Sequence, residues 1–244
     1  MEIVIAGCGE VGEAMAEVLS DRNSVYMHDP IKGYVFTTTG HIDVLLIAFP
    51  YSEDFITSVE DYQNAFKPEI TIILSTVPIG TSRKLGAFHS PIEGRHNNMV
   101  ESIRGHRRWI GGVKHKIKAI HLFFNAGIEE VYYVSSPEIT EFLKLQSLAI
   151  YGINIEWARY CGEASKSLGA NYNLVIAYNQ DYNNLIKSVH KDDSLIRYNL
   201  VPPNGKIGGH CVLQNTPFLN DHFPHGFIKE MLRLNQSEEK PKDE

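Results

Sequence analysis

The chain has 244 residues, enough to bury a substantial core, and the usual ~100 to 200 residues per domain suggest one domain with a sizeable appendage. Lys and Arg number 23 against 29 Asp and Glu, a formal net charge of −6, which argues against nucleic acid or an anionic membrane surface as a main partner. No run approaches the ~18 apolar residues of a membrane span. Three cysteines, Cys8, Cys161 and Cys211, are too few and too scattered for a disulfide framework or a tetrahedral zinc site.

The opening residues pass directly into the apolar run Ile3-Val4-Ile5-Ala6 with no basic leader, so a cytoplasmic protein is expected. Gly7-Cys8-Gly9-Glu10-Val11-Gly12 follows at once. A buried strand ending in Gly-x-Gly-x-x-Gly lets the backbone turn tightly and approach a pyrophosphate, and the helix that starts there points its free N–H groups at the phosphates. Val11, Met15, Val18 and Leu19 then fall at helical spacing, and Val25-Tyr26-Met27-His28 reads as a second strand ending at Asp29. Asp29 lies at the distance from the glycines expected of an acid that accepts hydrogen bonds from the adenosine ribose hydroxyls. A carboxylate there would repel a 2′-phosphate, so NAD is expected rather than NADP. His28 and Cys8 read as packing residues.

Further strands are predicted at Val44-Leu45-Leu46-Ile47-Ala48, Ile70-Thr71-Ile72-Ile73-Leu74, Leu85-Gly86-Ala87-Phe88, Arg108-Trp109-Ile110-Gly111 and Val131-Tyr132-Tyr133-Val134. Between them come a helix with Phe55, Val59, Tyr62 and Phe66 on one face and another over 114–124. This alternation predicts an α/β, Rossmann-type, doubly wound and mostly parallel sheet. About a dozen residues separate Asp29 from Asp43, too few for a crossover helix and another strand, so one edge should be abbreviated.

Ser136-Pro137-Glu138 has the residues of a helix start: a serine cap, proline in the first turn, then an acid. Apolar periodicity runs on through Phe142, Leu145, Ala149, Ile153, Trp157, Cys161, Ala164 and Leu168 to Gly169. About thirty residues at 1.5 Å each give a rod of ~45 Å, longer than a small sheet can cover, and a homodimer through this helix is expected. A second helix over 174–189 and a small, mainly helical C-terminal region complete the chain. The expected division is a dinucleotide-binding domain over 1–135, the long helix with a helical substrate-side region over 136–235, and a disordered polar tail over 236–244.

Gly208-Gly209-His210-Cys211 places paired glycines before a cysteine, allowing backbone or substrate close to the sulfur. Here the chain resembles the UDP-glucose/GDP-mannose dehydrogenase family. The resemblance is carried, in order, by Gly7, Gly9 and Gly12; by Ser75-Thr76-Val77-Pro78-Ile79-Gly80-Thr81; by Ser90-Pro91; by Glu141-Phe142-Leu143-Lys144-Leu145; by Asn154 with Glu156; and by Gly205-Lys206-Ile207-Gly208-Gly209-His210-Cys211-Val212. It implies NAD-dependent oxidation of the alcohol of a sugar-like or small polar substrate. Cys211 would capture an aldehyde as a thiohemiacetal, Lys144 would stabilise an alkoxide, Thr76 would position a water or hydroxyl, and Glu93 would be the general base. Expected cofactor contacts are Gly7, Gly9, Glu10, Val11, Gly12, Asp29, Pro50, Ser75 and Thr76. The chain departs from the family in having Asn215 for an aspartate and Leu148 for an asparagine. Only 33 residues follow Cys211, where the family continues into a nucleotide-binding domain.

Two other readings use different residues. His89-Ser90-Pro91-Ile92-Glu93-Gly94 loosely resembles the histidine loop of prephenate dehydrogenases, with His89 accepting a substrate proton and Arg95, Arg107 and Arg108 gripping an anionic group. A catalytically silent NAD-binding protein would keep the glycines and dispense with the rest. Eleven histidines offer no convincing pair on one helix face, so no metal is expected.

Overall fold

The computed structural model describes residues 1–94, 96–112, 116–191, 193–207 and 211–237. They form two compact units, Met1–Leu145 and Gln146–Glu244, and the division falls inside one long helix.

The first unit is a seven-stranded sheet in the order β2-β1-β3-β4-β5-β6-β7, with β1 Glu2–Ala6, β2 Ser24–His28, β3 Val44–Ile47, β4 Ile70–Ile73, β5 Phe88–His89, β6 Arg108–Gly111 and β7 Val131–Val134. Every neighbouring pair is parallel except β5 with β6, which meet antiparallel at His89 and Gly111. The apolar runs of the sequence become strands covered on both faces. Along β1 and β3 successive residues go to opposite layers, because strand side chains alternate. Ile3, Ile5, Val44 and Leu46 join a core with Met15 of α1 (Glu10–Ser20), Ile103 of α4 (Met99–Gly105) and Phe123 of α5 (Lys116–Asn125). Val4, Ala6, Leu45 and Ile47 join a core with Phe55, Val59 and Phe66 of α2 (Phe55–Phe66). This is the α/β, mostly parallel sheet expected.

The abbreviated edge is also present. After β2 the chain makes a short 3₁₀ turn, Pro30–Lys32, and pairs Asp29 with Tyr34 in an isolated bridge before entering β3, so β2 remains the edge strand. Two sequence expectations need correction. Leu85 and Ala87 are not strand residues: they flank Gly86, whose φ of +63° closes α3 (Thr81–Lys84), and β5 keeps only two residues. Helix α4 was not anticipated, because its short stretch carries one fully buried apolar side chain, Ile103, and no full period. Helix α5 begins at Lys116, and Lys114 lies outside the described residues.

Helix α6 runs without interruption from Pro137 to Ser167, and Gly169 follows at φ +68°, the left-handed conformation that ends helices. The second unit contains its later turns with α7 (Asn173–Leu185), a π-helical turn Ile186–His190, α8 (Cys211–His222) and α9 (Gly226–Ser237). Ile207, Val212 and Met231 form its small core. Gly152 explains how α8 and α9 approach α6: a Cβ there would lie 2.8 Å from Val212 Cγ1 and 3.1 Å from Met231 Sδ. Helix α9 extends two residues, Gln236 and Ser237, into the segment expected to be disordered; 238–244 lie outside the described residues. No described helix is long and apolar enough to cross a membrane.

Candidate active site

The three glycines after β1 do different things. Gly7 has φ +101°, donates its N–H to the His28 carbonyl at 3.0 Å, and has no room for a side chain, since a Cβ would lie 2.8 Å from the Phe49 amide nitrogen. At Gly12 a Cβ would overlap the Gly7 carbonyl oxygen, so glycine lets α1 pack onto its own loop. Gly9, the residue that caps α1, is crowded by nothing within 4 Å. Two glycines therefore serve the fold, and the third keeps the helix N-terminus, with Glu10 and Val11, open to an approaching group. The loop lies where the strand order reverses between β1 and β3, the crevice in which open α/β sheets bind ligands.

Asp29 braces this loop. Its Oδ2 accepts the Cys8 N–H at 2.9 Å and its Oδ1 accepts the Lys32 N–H at 3.3 Å, while the Lys32 ammonium donates to the Cys8 carbonyl at 2.6 Å. Lys32 was missed by the sequence reading, because only the turn after β2 brings its stem back over the glycines. Cys8 is fully buried, its thiol pushed up by burial and by Asp29. His28 packs edge-on against Tyr62 and Phe66, each at 5.2 Å, as a core residue.

The ends of β3 and β4 continue the same edge of the sheet. The Ser75 hydroxyl donates to the Phe49 carbonyl at 2.6 Å, joining the two strand ends; exposed Pro50 and half-buried Thr76 are the next residues of each. Glu141 of α6 grips the far side of the Thr76 loop: its carboxylate accepts the Gly80 N–H at 2.6 Å and the Ser82 N–H at 2.8 Å. Burial pushes this carboxyl up, against those hydrogen bonds.

One turn further along α6, the Lys144 ammonium donates to the Ile92 carbonyl at 2.7 Å and meets Glu93 Oε2 at 3.2 Å. The Lys144 side chain is 14% exposed and that of Glu93 36%, so the pair is sheltered yet reachable. Two of the expected catalytic residues, Lys144 and Glu93, are thus in contact. The loop beside them is also held from below by Arg108, which is fully buried and donates through Nη1 toward the Pro91 carbonyl at 3.4 Å. Burial brings Arg108 down to about 10.

The histidine reading fares differently. His89 is fully buried, with Nδ1 2.9 Å from the Thr140 hydroxyl and Nε2 3.2 Å from the Ser75 carbonyl, and burial pushes its imidazole down to about 3. Neither nitrogen is left for a substrate hydroxyl. Arg107 pairs with Glu130 and stacks over Tyr132, at 4.5 Å from the ring centre, and Arg108 is buried, so neither is poised as an anion clamp. Arg95 lies outside the described residues.

Cys211 belongs to the second unit, as the first residue of α8; it is exposed and free. Gly208, Gly209 and His210 lie outside the described residues. Asn215 donates its amide to the Cys211 carbonyl at 2.8 Å within the helix, and half-buried Leu148 lies on α6.

No family model matches the chain, and no curated protein matches it. Among solved structures it is similar to the UDP-D-ManNAc dehydrogenase of Pyrococcus horikoshii, at 18% identity and a TM-score of 0.76, over 97% of this chain and 68% of that one. It is similar to the NDP-N-acetyl-D-galactosaminuronic acid dehydrogenase of Methanosarcina mazei Go1, at 17% identity and a TM-score of 0.70, over 96% of this chain and 65% of that one. The 3-hydroxyisobutyrate dehydrogenase of Mycobacterium tuberculosis matches at 12% identity and a TM-score of 0.69, over 97% of this chain and 93% of that one. The resemblance to sugar-nucleotide dehydrogenases is therefore matched in the fold, and the chain spans about two thirds of the length of those enzymes.

Proposed function

We propose that this protein is an NAD-dependent dehydrogenase that oxidises a CH–OH group of a sugar-like substrate, in the manner of the UDP-sugar dehydrogenases whose fold it shares. The observation that carries the reading is the Lys144–Glu93 pair, held at 3.2 Å in the same unit as the open glycine loop. The loop fits a dinucleotide: Gly9 leaves space where a pyrophosphate would approach, and the amides of Glu10 and Val11 begin a helix. Asp29 would take the adenosine ribose, with Pro50, Ser75 and Thr76 toward the nicotinamide. Bound there, NAD would supply the hydride acceptor.

The chain's own residues then divide the remaining work. Glu93 accepts the proton of the substrate hydroxyl, Lys144 offsets the negative charge that develops on that oxygen, and Thr76 orients it. Cys211 captures an aldehyde product as a thiohemiacetal, which allows a second oxidation. Asn215 carries no charge to activate the water that would release the resulting thioester, so that release is expected to be slow.

The test is NADH formation with a panel of nucleotide sugars, sugar alcohols and hydroxy acids, alongside calorimetric titration with NAD and NADP. Lys144→Met is expected to lower kcat about 10²- to 10³-fold while leaving NAD affinity unchanged. Two NADH per substrate are expected if Cys211 takes part, and one, unaltered by Cys211→Ser, if it does not. Binding of NAD with no turnover on any substrate would favour the silent binder, and tighter binding of NADP would overturn the assignment of Asp29. A homodimer through α6 goes with this reading, supported by exposed Ile150, Tyr151, Trp157 and Tyr160 on its later turns. Light scattering of the wild type and of Trp157→Asp tests it, and a monomeric wild type would remove it.

A further inference from the structure

Helix α6 holds both ends of the segment 75–82 through adjacent residues. Glu141 takes the Gly80 and Ser82 amides at one end. At the other, Thr140 reaches Ser75 only through the imidazole of His89. The Ser75 hydroxyl in turn lies on the Phe49 carbonyl, so a continuous polar chain runs from the end of β3 through Ser75 and His89 to α6. Strand β5 is two residues long, and in place of a longer ladder the His89 side chain carries this link.

We propose that His89 is a positioning residue for the reaction assigned above: as a neutral imidazole protonated at Nε2, it fixes Thr76 relative to the helix that carries Lys144. The inference rests on the roles given to Thr76 and Lys144. The tautomer follows from the partners. The Ser75 carbonyl can only accept, so Nε2 must donate, and Nδ1 is then left to accept from the Thr140 hydroxyl. Thr140 Oγ1 also lies 2.9 Å from the Pro137 carbonyl, so a protonated ring would turn the hydroxyl proton there, and it would set a positive charge near the Lys144 ammonium at a fully buried position. Burial, and to a lesser extent the Lys144 charge from α6, keep the ring neutral against the hydrogen bond to the Ser75 carbonyl.

Nitrogen-15 NMR of the imidazole in the intact protein tests the chemical state directly. A bare Nδ1 with a protonated Nε2, unchanged between pH 8 and pH 5, is expected; titration in that range, or a proton on Nδ1, would overturn the proposal. Hydrogen exchange tests the coupling. Thr140→Val removes the hydroxyl that meets His89 Nδ1 and the Pro137 carbonyl, His89→Gln removes the ring that links Ser75 to Thr140, and in each variant exchange in 75–82 and the first turn of α6 should rise together by about tenfold with β1 and β3 unchanged. A uniform rise across all strands would mean a purely structural role, and no rise would mean no link. With an active substrate, kcat should fall about tenfold in Thr140→Val and recover in Thr140→Ser, with the KM for NAD held within about twofold. If the wild type forms no NADH, the dehydrogenase reading fails, while the NMR and exchange results still decide the role of His89.

Discussion

At the scale of single residues, the glycine loop separates fold from function. Gly12→Val must displace the Gly7 carbonyl and is expected to lower the thermal midpoint severely, whereas a Cβ at Gly9 has no neighbour within 4 Å, so Gly9→Val should change the midpoint little. Gly9→Val is nonetheless expected to weaken NAD binding at least about tenfold by filling the space a pyrophosphate needs, which calorimetry would show. Acid sensitivity also resolves to residues. His89 is pushed down to about 3 by burial and returns to its ordinary value near 6.5 when the chain unfolds, so the unfolded state binds the extra proton. Its contribution to stability is full above pH 6.5 and is lost as pH falls toward 3. Asp43 adds a second, lower window. Its carboxyl is held at about 2: burial opposes this but is outweighed by hydrogen bonds from the Lys118 ammonium at 2.6 Å and the Glu2 amide at 2.8 Å. That stability is present above pH 3.8 and is lost as pH falls through about 2. Urea midpoints should fall first between pH 6.5 and 5, an effect absent in His89→Gln, and again below pH 4, an effect reduced in Asp43→Asn, with the remainder carried by Glu138, whose carboxyl the Arg83 guanidinium also holds at about 2.

At the scale of elements, α6 does two jobs with different turns. Its first turns present Thr140, Glu141 and Lys144 to the sheet unit, while Gly152 accepts Val212 and Met231 in the second unit. Gly152→Val would place methyl groups where those side chains already lie and is expected to cost about 1 to 3 kcal/mol by overpacking, measured as a lowered urea midpoint. Much of this helix was legible in sequence. The Ser136-Pro137-Glu138 start, the unbroken period and Gly169 gave both ends to within about a residue, because capping and helix termination are local effects. Helix α4 and the two-residue β5 were not legible: neither carries a period long enough to separate it from a loop, and each is defined by what packs against it.

At the scale of the whole molecule, the sheet order puts the ends of β1, β3 and β4 side by side, and with them Gly7, Pro50 and Thr76. A ligand seated across those ends would stabilise the first unit in proportion to its occupancy. NAD at a hundred times its dissociation constant is expected to add about 2.7 kcal/mol, with amide protection rising at the ends of β1, β3 and β4. Unchanged exchange in those strands at saturating NAD would count against the dinucleotide site.

The sequence by itself determined the glycine loop, the order and type of the long elements, the abbreviated edge after Asp29 and the identity of Lys144 and Glu93 as candidates. Those follow from local rules: the period of apolar residues, the conformational freedom of glycine, and chain length between strands. Only the tertiary structure decided that Lys144 and Glu93 touch, that Lys32 returns to the glycine loop, and that His89 is sealed between Ser75 and Thr140 rather than turned to a substrate. Each of these joins residues more than twenty positions apart, or depends on exclusion of water, and burial and long-range contact are properties of the packed fold that no local pattern encodes.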